Sequence, residues 1–431
     1  MMSELTVWAA VLIFAGTYAV IAFARLPGLH LDRPGAAALG AVLMVACGVL
    51  SFDEAWQAID ARTIVLLLGM MILNVLLEES GFFELAAGAV LSRTRSAASL
   101  LTGLAILSAV LSSLFLNDTV CLMLTAPVLS IVRRSRLPPA PYLVALAMSA
   151  NIGSVMTLVG NPQNMLIGNY SGWTYAQFLL WMAPVGAASL AALVGILLWF
   201  YRARLKAAKA EGEEDLAIGD LKDPDVDRPL LVKSLVVLAG VLVGFVVVAD
   251  LPLVAMLGAM MLLLISRRPP EQILLRVNWV LLMFFAGLFI VVHGLEQTGL
   301  VKQLIAAVRP MYGSSLATQI PVFSLVTMIA SNVVSNVPFV VLARGIVPEF
   351  ADPQLLWLVL AMASTLAGNL TIPGSVATLI VLEMAKRHAP GREGHVEFFE
   401  FLRVGIPVTL ATTMLGALIL ASEHWLFGPG Q

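Results

Sequence analysis

The sequence predicts an all-α polytopic membrane protein of two inverted repeats, each with five transmembrane helices plus one re-entrant hairpin, and with broken helices meeting at the midplane. Three observations predict it. The chain is 60% hydrophobic and only 12% charged, where a soluble domain carries about 25% charge. Its apolar residues come in runs long enough to cross a bilayer. The polar interruptions of those runs recur at one sequence offset.

Crossing the hydrocarbon takes about 20 apolar residues as helix, with roughly 17–25 tolerated. Runs of that kind cover 5–24, 34–50, 63–79, 142–168, 177–201, 231–249, 252–266, 279–295, 354–384 and 402–422. Met1 to Trp8 has neither a basic n-region nor a small-residue cleavage site, so 5–24 reads as a retained span. Two further apolar stretches are broken near their middle: 97–132 at Asn117-Asp118-Thr119, and 315–347 at Ser335-Asn336 and Pro338. After the first break, 119–132 is too short to cross. Each stretch therefore reads as a re-entrant hairpin with a polar tip, tolerated where protein or a cavity surrounds it.

Charge placement orients these spans. With ten alternating spans, one side receives Arg25, Arg33, Arg93, Arg95, Arg133, Arg134 and Arg136, then the basic residues from Arg202 to Lys233. It also receives Arg267, Arg268, Arg276, Lys386, Arg387, Arg392 and Arg403, which makes 21 of the 25 basic residues. The other side keeps Arg62, Lys302, Arg309 and Arg344. Both termini are expected outside, in a bacterial inner membrane. The charged stretch 202–230 is then a cytoplasmic linker between a first repeat, 1–201, and a second, 231–431.

Sliding the chain by 218 residues aligns the two sides of that linker. Pro34 meets Pro252, Gly40 meets Gly258, Gly69 meets Gly287, Glu78 meets Glu296, Gly81 meets Gly299 and Asn151 meets Asn369. Asn117 meets Asn336 at an offset one residue longer. With five spans per half, the second copy is inverted, and inverted repeats with broken helices are a secondary-transporter architecture.

The chemistry is expected at four polar interruptions: Asn117-Asp118-Thr119, Gly160-Asn161-Pro162-Gln163-Asn164, Ser335-Asn336-Val337-Pro338, and Asn369 through Thr371-Ile372-Pro373-Gly374-Ser375 to Thr378. Pro and Gly there release backbone groups from the helical ladder. Freed carbonyls coordinate cations, and helix N-termini favour anions or polar oxygens. Asp118 is the one acidic residue placed near mid-membrane, where a charge costs at least about 2.5–3.5 kcal/mol. It reads as a proton or cation carrier, and also as an N-cap for the helix starting near Thr119. Cys47 and Cys121 lie in apolar runs and read as small buried hydrophobes; two cysteines build neither a disulfide framework nor a metal site. His293 and Glu296 read as interfacial, and Glu383 as snorkelling or facing the cytoplasmic end. No Lys or Arg is placed deep in a span, which favours a small uncharged hydroxylated solute or a cation-coupled anion. A net charge of −2 excludes a nucleic-acid partner held by overall basic charge. The absence of HExxH and of an intramembrane ligand cluster argues against an embedded enzyme, whereas a channel lined by the broken helices stays open as an alternative.

Asn117-Asp118-Thr119, Asn151-Ile152-Gly153 leading to Gly160-Asn161-Pro162-Gln163-Asn164, the run Ser331 to Pro338, and Pro373-Gly374-Ser375-Val376-Ala377-Thr378-Leu379 together resemble the ion transporter superfamily. The chain looks most like its arsenite efflux permeases and related anion permeases, and more distantly like the divalent-anion/sodium symporters and sodium/proton antiporters. The resemblance implies arsenite or antimonite export by alternating access in exchange for protons, with the proton gradient as driving force and no cofactor. A sodium- or proton-coupled anion carrier or a sodium/proton antiporter is the alternative. Asp118 would carry the proton. Asn117, Thr119, Asn151, Gly160, Asn161, Asn164, Ser335, Asn336, Asn369, Thr371, Gly374, Ser375 and Thr378 would hold the solute. The partners implied are the small solute and the lipid bilayer; a homodimer and a soluble ATPase docking on the linker stay open.

Overall fold

Residues 3–23, 31–210, 226–248, 250–301, 303, 307, 309–388 and 396–427 are described by the computed structural model. Linker residues 211–225, with Arg25, Lys302 and Arg392, lie outside the described residues. The fold is all-helical, with no β-strand among the described residues. The first half carries α1 (Glu4–Phe23), α2 (Arg33–Ala46), α3 (Phe52–Ala58), α4 (Ala61–Glu79), α5 (Phe82–Leu91), α6 (Ala97–Leu114), α7 (Asn117–Arg134), α8 (Pro139–Ser154), α9 (Pro162–Ser171), α10 (Tyr175–Phe200) and α11 (Arg202–Ala210). The second carries α12 (Arg228–Val247), α13 (Leu251–Ser266), α14 (Pro270–Leu275), α15 (Trp279–Gln297), α16 (Leu316–Val334), α17 (Asn336–Ala343), α18 (Pro353–Ala367), α19 (Val376–His388) and α20 (Phe398–Phe427). Among the described residues, eight helices are long and apolar enough to cross a membrane: α1, α4, α6, α10, α12, α15, α16 and α20. The chain is a multi-span membrane protein.

The two halves grip each other reciprocally. α4 packs on α13, and α15 packs on α2. A Cβ on Gly69 would stand 2.9 Å from the backbone carbonyl carbon of Ala255, and one on Gly287 would stand 2.7 Å from that of Ala37. Gly287 lies 218 residues beyond Gly69, and Ala255 lies 218 beyond Ala37. Each contact is thus the image of the other with the halves exchanged, which is the signature of a two-fold axis. Gly81 and Gly299, also one offset apart, take the same left-handed turn at φ 77° and 75°. Because backbone cannot rotate away, Gly69→Val should lower stability by about 3 kcal/mol, read as a drop in thermal unfolding temperature in detergent. Gly88→Ala, where nothing lies within 4 Å, should leave that temperature unchanged or raise it slightly.

Local chemistry explains the breaks. The apolar runs at 142–168 and 354–384 are each two helices rather than one. α8 stops at Ser154, and α9 restarts behind Asn161, whose side chain accepts from the Asn164 amide at 2.8 Å with Pro162 at the first helical position. That is a standard start signal. α18 stops at Ala367, and α19 begins only after a short 3-10 turn over Ile372–Gly374. The two hairpins differ more than the repeat suggests. The arm expected to be only 119–132 is an 18-residue helix that begins at Asn117 itself, so Asp118 sits in its first turn. Its counterpart α17 has 8 residues. There the tip residue Ser335 is held at φ 73°, a region rarely entered by a residue with a side chain. Cys121 is buried as expected, but Cys47 is exposed, because it caps the C-terminus of α2 and so leaves the packed face of that helix.

Candidate functional site

The interrupted elements meet around the two-fold axis. Asn151 Nδ2 donates to Asn369 Oδ1 at 2.9 Å, a bond between residues that correspond in the repeat. Asn151 Oδ1 accepts from Asn117 Nδ2 at 3.1 Å and from the Ser375 hydroxyl at 3.0 Å. Asn369 Nδ2 donates onward to the Met148 carbonyl at 3.3 Å. The Asn117 amide donates to the Gly160 carbonyl at 2.9 Å, which ties the first hairpin tip to the first break. A Cβ on Gly160 would lie 2.7 Å from backbone atoms of Ser154, so this approach needs glycine. The first tip and both breaks are therefore anchored to one buried polar knot.

Much of the expected solute-binding set is engaged inside that knot. Asn161 Nδ2 donates to the Ser154 and Thr365 hydroxyls, and Asn164 Nδ2 to the Ser154 and Thr157 carbonyls. In the second half, Thr371 donates to Asn332 Oδ1 at 3.0 Å, and Asn332 Nδ2 donates to the Ala367 carbonyl at 2.9 Å. Gly374 packs directly on Asn332, with 2.6 Å between an added Cβ and Oδ1. The side-chain oxygens of Asn164, Asn336 and Thr378 are buried without a hydrogen-bond partner. Ser335 caps the break between α16 and α17 without a side-chain hydrogen bond. Asn332 and Thr365 were not anticipated, although both stand within a helical turn of an interruption that was.

Asp118 and Thr119 lie apart from the knot, on a small cavity of about 110 Å³. Asn74, from the middle of α4, faces the same space, with Glu78, Arg276 and Asn278 toward its other end. Among the described residues, no group hydrogen-bonds or ion-pairs with the Asp118 carboxylate. Its own backbone N–H donates to Asn117 Oδ1 at 2.9 Å. The first turn of α7 supplies the positive end of a helix dipole, which favours an anion there. Asn74 is 1% exposed; its Nδ2 reaches Thr119 Oγ1 at 3.5 Å, and its Oδ1 has no partner. Sequence reading missed Asn74, yet the signal was present: a single amide inside an otherwise apolar span.

Ion pairs close the two ends of the scaffold helices. Arg276 meets Glu78 at 2.5 Å and Glu79 at 2.9 Å, at the mouth of the Asp118 cavity. Glu296, the counterpart of Glu78, is not merely interfacial. It is half-buried and gripped through both oxygens by Arg344, the residue that caps the C-terminus of α17, whose guanidinium also lies 5.7 Å from the Tyr170 ring. His293 stands 3.7 Å from the same carboxylate. Glu383 pairs with Arg387 on an exposed face.

Residues 18–367 match the sequence model of a family described as CitMHS, citrate transporter. An uncharacterized transporter of Mycobacterium tuberculosis (strain H37Rv) is 32% identical, over 97% of this chain and 99% of its own. The silicon efflux transporter LSI3 of Oryza sativa subsp. japonica is 31% identical, over 91% of this chain and 93% of its own. Among solved structures, the YdaH transporter of Alcanivorax borkumensis shares the fold, with a TM-score of 0.57 at 15% identity across 98% of each chain.

Proposed function

Because the chain belongs to the CitMHS citrate transporter family, a family of membrane transporters and not of enzymes, we propose that it is a secondary active exporter of a small, uncharged, hydroxylated solute, with Asp118 carrying the coupling proton. Arsenite and antimonite are the lead solutes. The observation that carries this reading is the unpaired Asp118 carboxylate on a cavity shared with Asn74 and Thr119. An ionised group held there without a partner is costly, so proton uptake and release at this position is a natural coupling step. The cavity has room for about four waters, which suits a trihydroxy solute. The cation at its mouth, Arg276, is already neutralised by Glu78 and Glu79. A relative named for silicon efflux supports the same solute class, since dissolved silicon is largely an uncharged hydroxylated species near neutral pH.

In this reading 1–201 and 231–431 are the two inverted repeats, and the Arg276 end of the molecule faces the cytoplasm. The knot at Asn151 and Asn369 is the fixed centre about which the hairpins rock. Arsenite accumulation in inside-out vesicles, with an imposed pH gradient and no sodium, tests it. Uptake that collapses with the gradient is the expected result. A folded protein that takes up no arsenite would sink the solute assignment.

The second reading is a sodium-coupled carrier of a small carboxylate or inorganic anion. It draws on the family description and on Arg33, whose Nη2 donates to the Pro373 carbonyl in the second break at 3.4 Å, while its Nε is buried without a partner. Anion uptake that requires sodium and ignores the pH gradient would favour it.

A further inference from the structure

The second repeat acts as an internal control for the first. Positions that serve the fold should be alike in both copies, and several are: Asn151 with Asn369, Asn117 with Asn336, Gly69 with Gly287 and Glu78 with Glu296. Three of the polar residues lining the Asp118 cavity behave in the opposite way. Asn74 corresponds to Val292, Asp118 to Val337 and Thr119 to Pro338, with all three apolar in the second copy. The second copy thus packs with apolar side chains at the corresponding positions, whereas the first copy carries oxygen-bearing groups there.

Those groups are of one chemical kind. Asp118 contributes a carboxylate without a partner, Thr119 a hydroxyl oxygen, and Asn74 a carbonyl oxygen that is buried and unpartnered. No nitrogen or sulfur ligand is among the three. Oxygen-only sites suit hard cations, and a single carboxylate balances a single positive charge. We infer that Asn74, Asp118 and Thr119 form a binding site for a monovalent hard cation, with sodium as the representative ion, and that sodium and the proton compete for Asp118. The inference rests on reading Asp118 as the carrier of the coupling cation, and it adds the scaffold residue Asn74 to the site. Because α4 belongs to the packed scaffold and Asp118 to the hairpin, ion binding joins the two, and release of the ion frees the hairpin.

Equilibrium binding of radioactive sodium to the purified full-length chain in nanodiscs tests the site without requiring transport. Wild-type protein should bind sodium saturably, and binding should fall as the pH is lowered. Asn74→Val, which installs the residue of the second repeat, and Thr119→Val should each weaken binding at least about tenfold; Asp118→Asn should abolish it. The other titratable or charged groups facing Asp118 are Glu78 and Arg276 in the cavity and Cys121 one turn along α7. The pH series is therefore repeated in Glu78→Gln and Cys121→Ala. Proton competition that persists in both belongs to Asp118, and competition that vanishes in either overturns its assignment. A monodisperse wild-type protein that binds no sodium overturns the site, as does sodium binding retained by both Asn74→Val and Asp118→Asn. Arsenite uptake can fail while sodium binding holds, so a wrong solute and a wrong cation site give different results.

Discussion

Asp118→Asn is expected to reduce gradient-driven uptake in vesicles to the level of protein-free liposomes, while the protein stays at least as stable as wild type. The two effects have one cause. A partnerless carboxylate on a hairpin tip within the membrane costs at least about 2.5–3.5 kcal/mol while it is charged, and an amide of the same shape removes that charge. It also removes the proton that a coupled exchange requires. Functional loss caused by misfolding would instead come with a lower unfolding temperature, so uptake and thermal unfolding are measured on the same preparation. Wild-type pH dependence of uptake in this variant would remove Asp118 from the coupling step.

Asn151→Leu should have the opposite signature, with the fold itself lost. Asn151 accepts from Asn117 and Ser375 and donates to Asn369. Its own side chain is 1% exposed, and Asn369 is fully buried. Leucine fills a similar volume but strands all three partners in an apolar interior. A stranded buried donor or acceptor costs about 1–3 kcal/mol, so the total is comparable with the whole stability of many domains. Little monodisperse protein should be recovered by size-exclusion chromatography. Asn336→Leu is the matched contrast, because the Asn336 oxygen already lacks a partner, and that variant should fold. Equal recovery of both variants would show that the knot does not hold the breaks together.

The contrast between these two asparagines bears on what a sequence can reveal. Asn117, Asn151, Asn336 and Asn369 look equivalent in the chain, since each is an amide within an apolar run. The structure separates them: three are engaged in one network, and the fourth keeps a free oxygen. Asn74 shows the converse. It sits inside a run that reads as an uninterrupted span, and only the approach of α7 across 45 residues turns it into part of a site. The pairing of Glu296 with Arg344 across 48 residues could not be read from the chain either, and a carboxylate at a span end looked like an interfacial group.

What the chain alone determined is what depends on near neighbours. The apolar lengths follow from the cost of exposing backbone and side chains to hydrocarbon or water. The helix breaks follow from proline, glycine and capping asparagine within a few residues. The repeat follows from counting, and the prominence of Asp118 from its being the one acidic residue in its apolar run. The tertiary structure alone decided which polar atoms are satisfied and which are free, because each partner arrives from a helix tens to hundreds of residues away. It also decided that Gly69 and Gly287 are points of backbone contact between the halves. In a membrane interior most polar groups must find a partner, so the ones left without are the groups available to bind an ion or a solute, and only the packed fold identifies them.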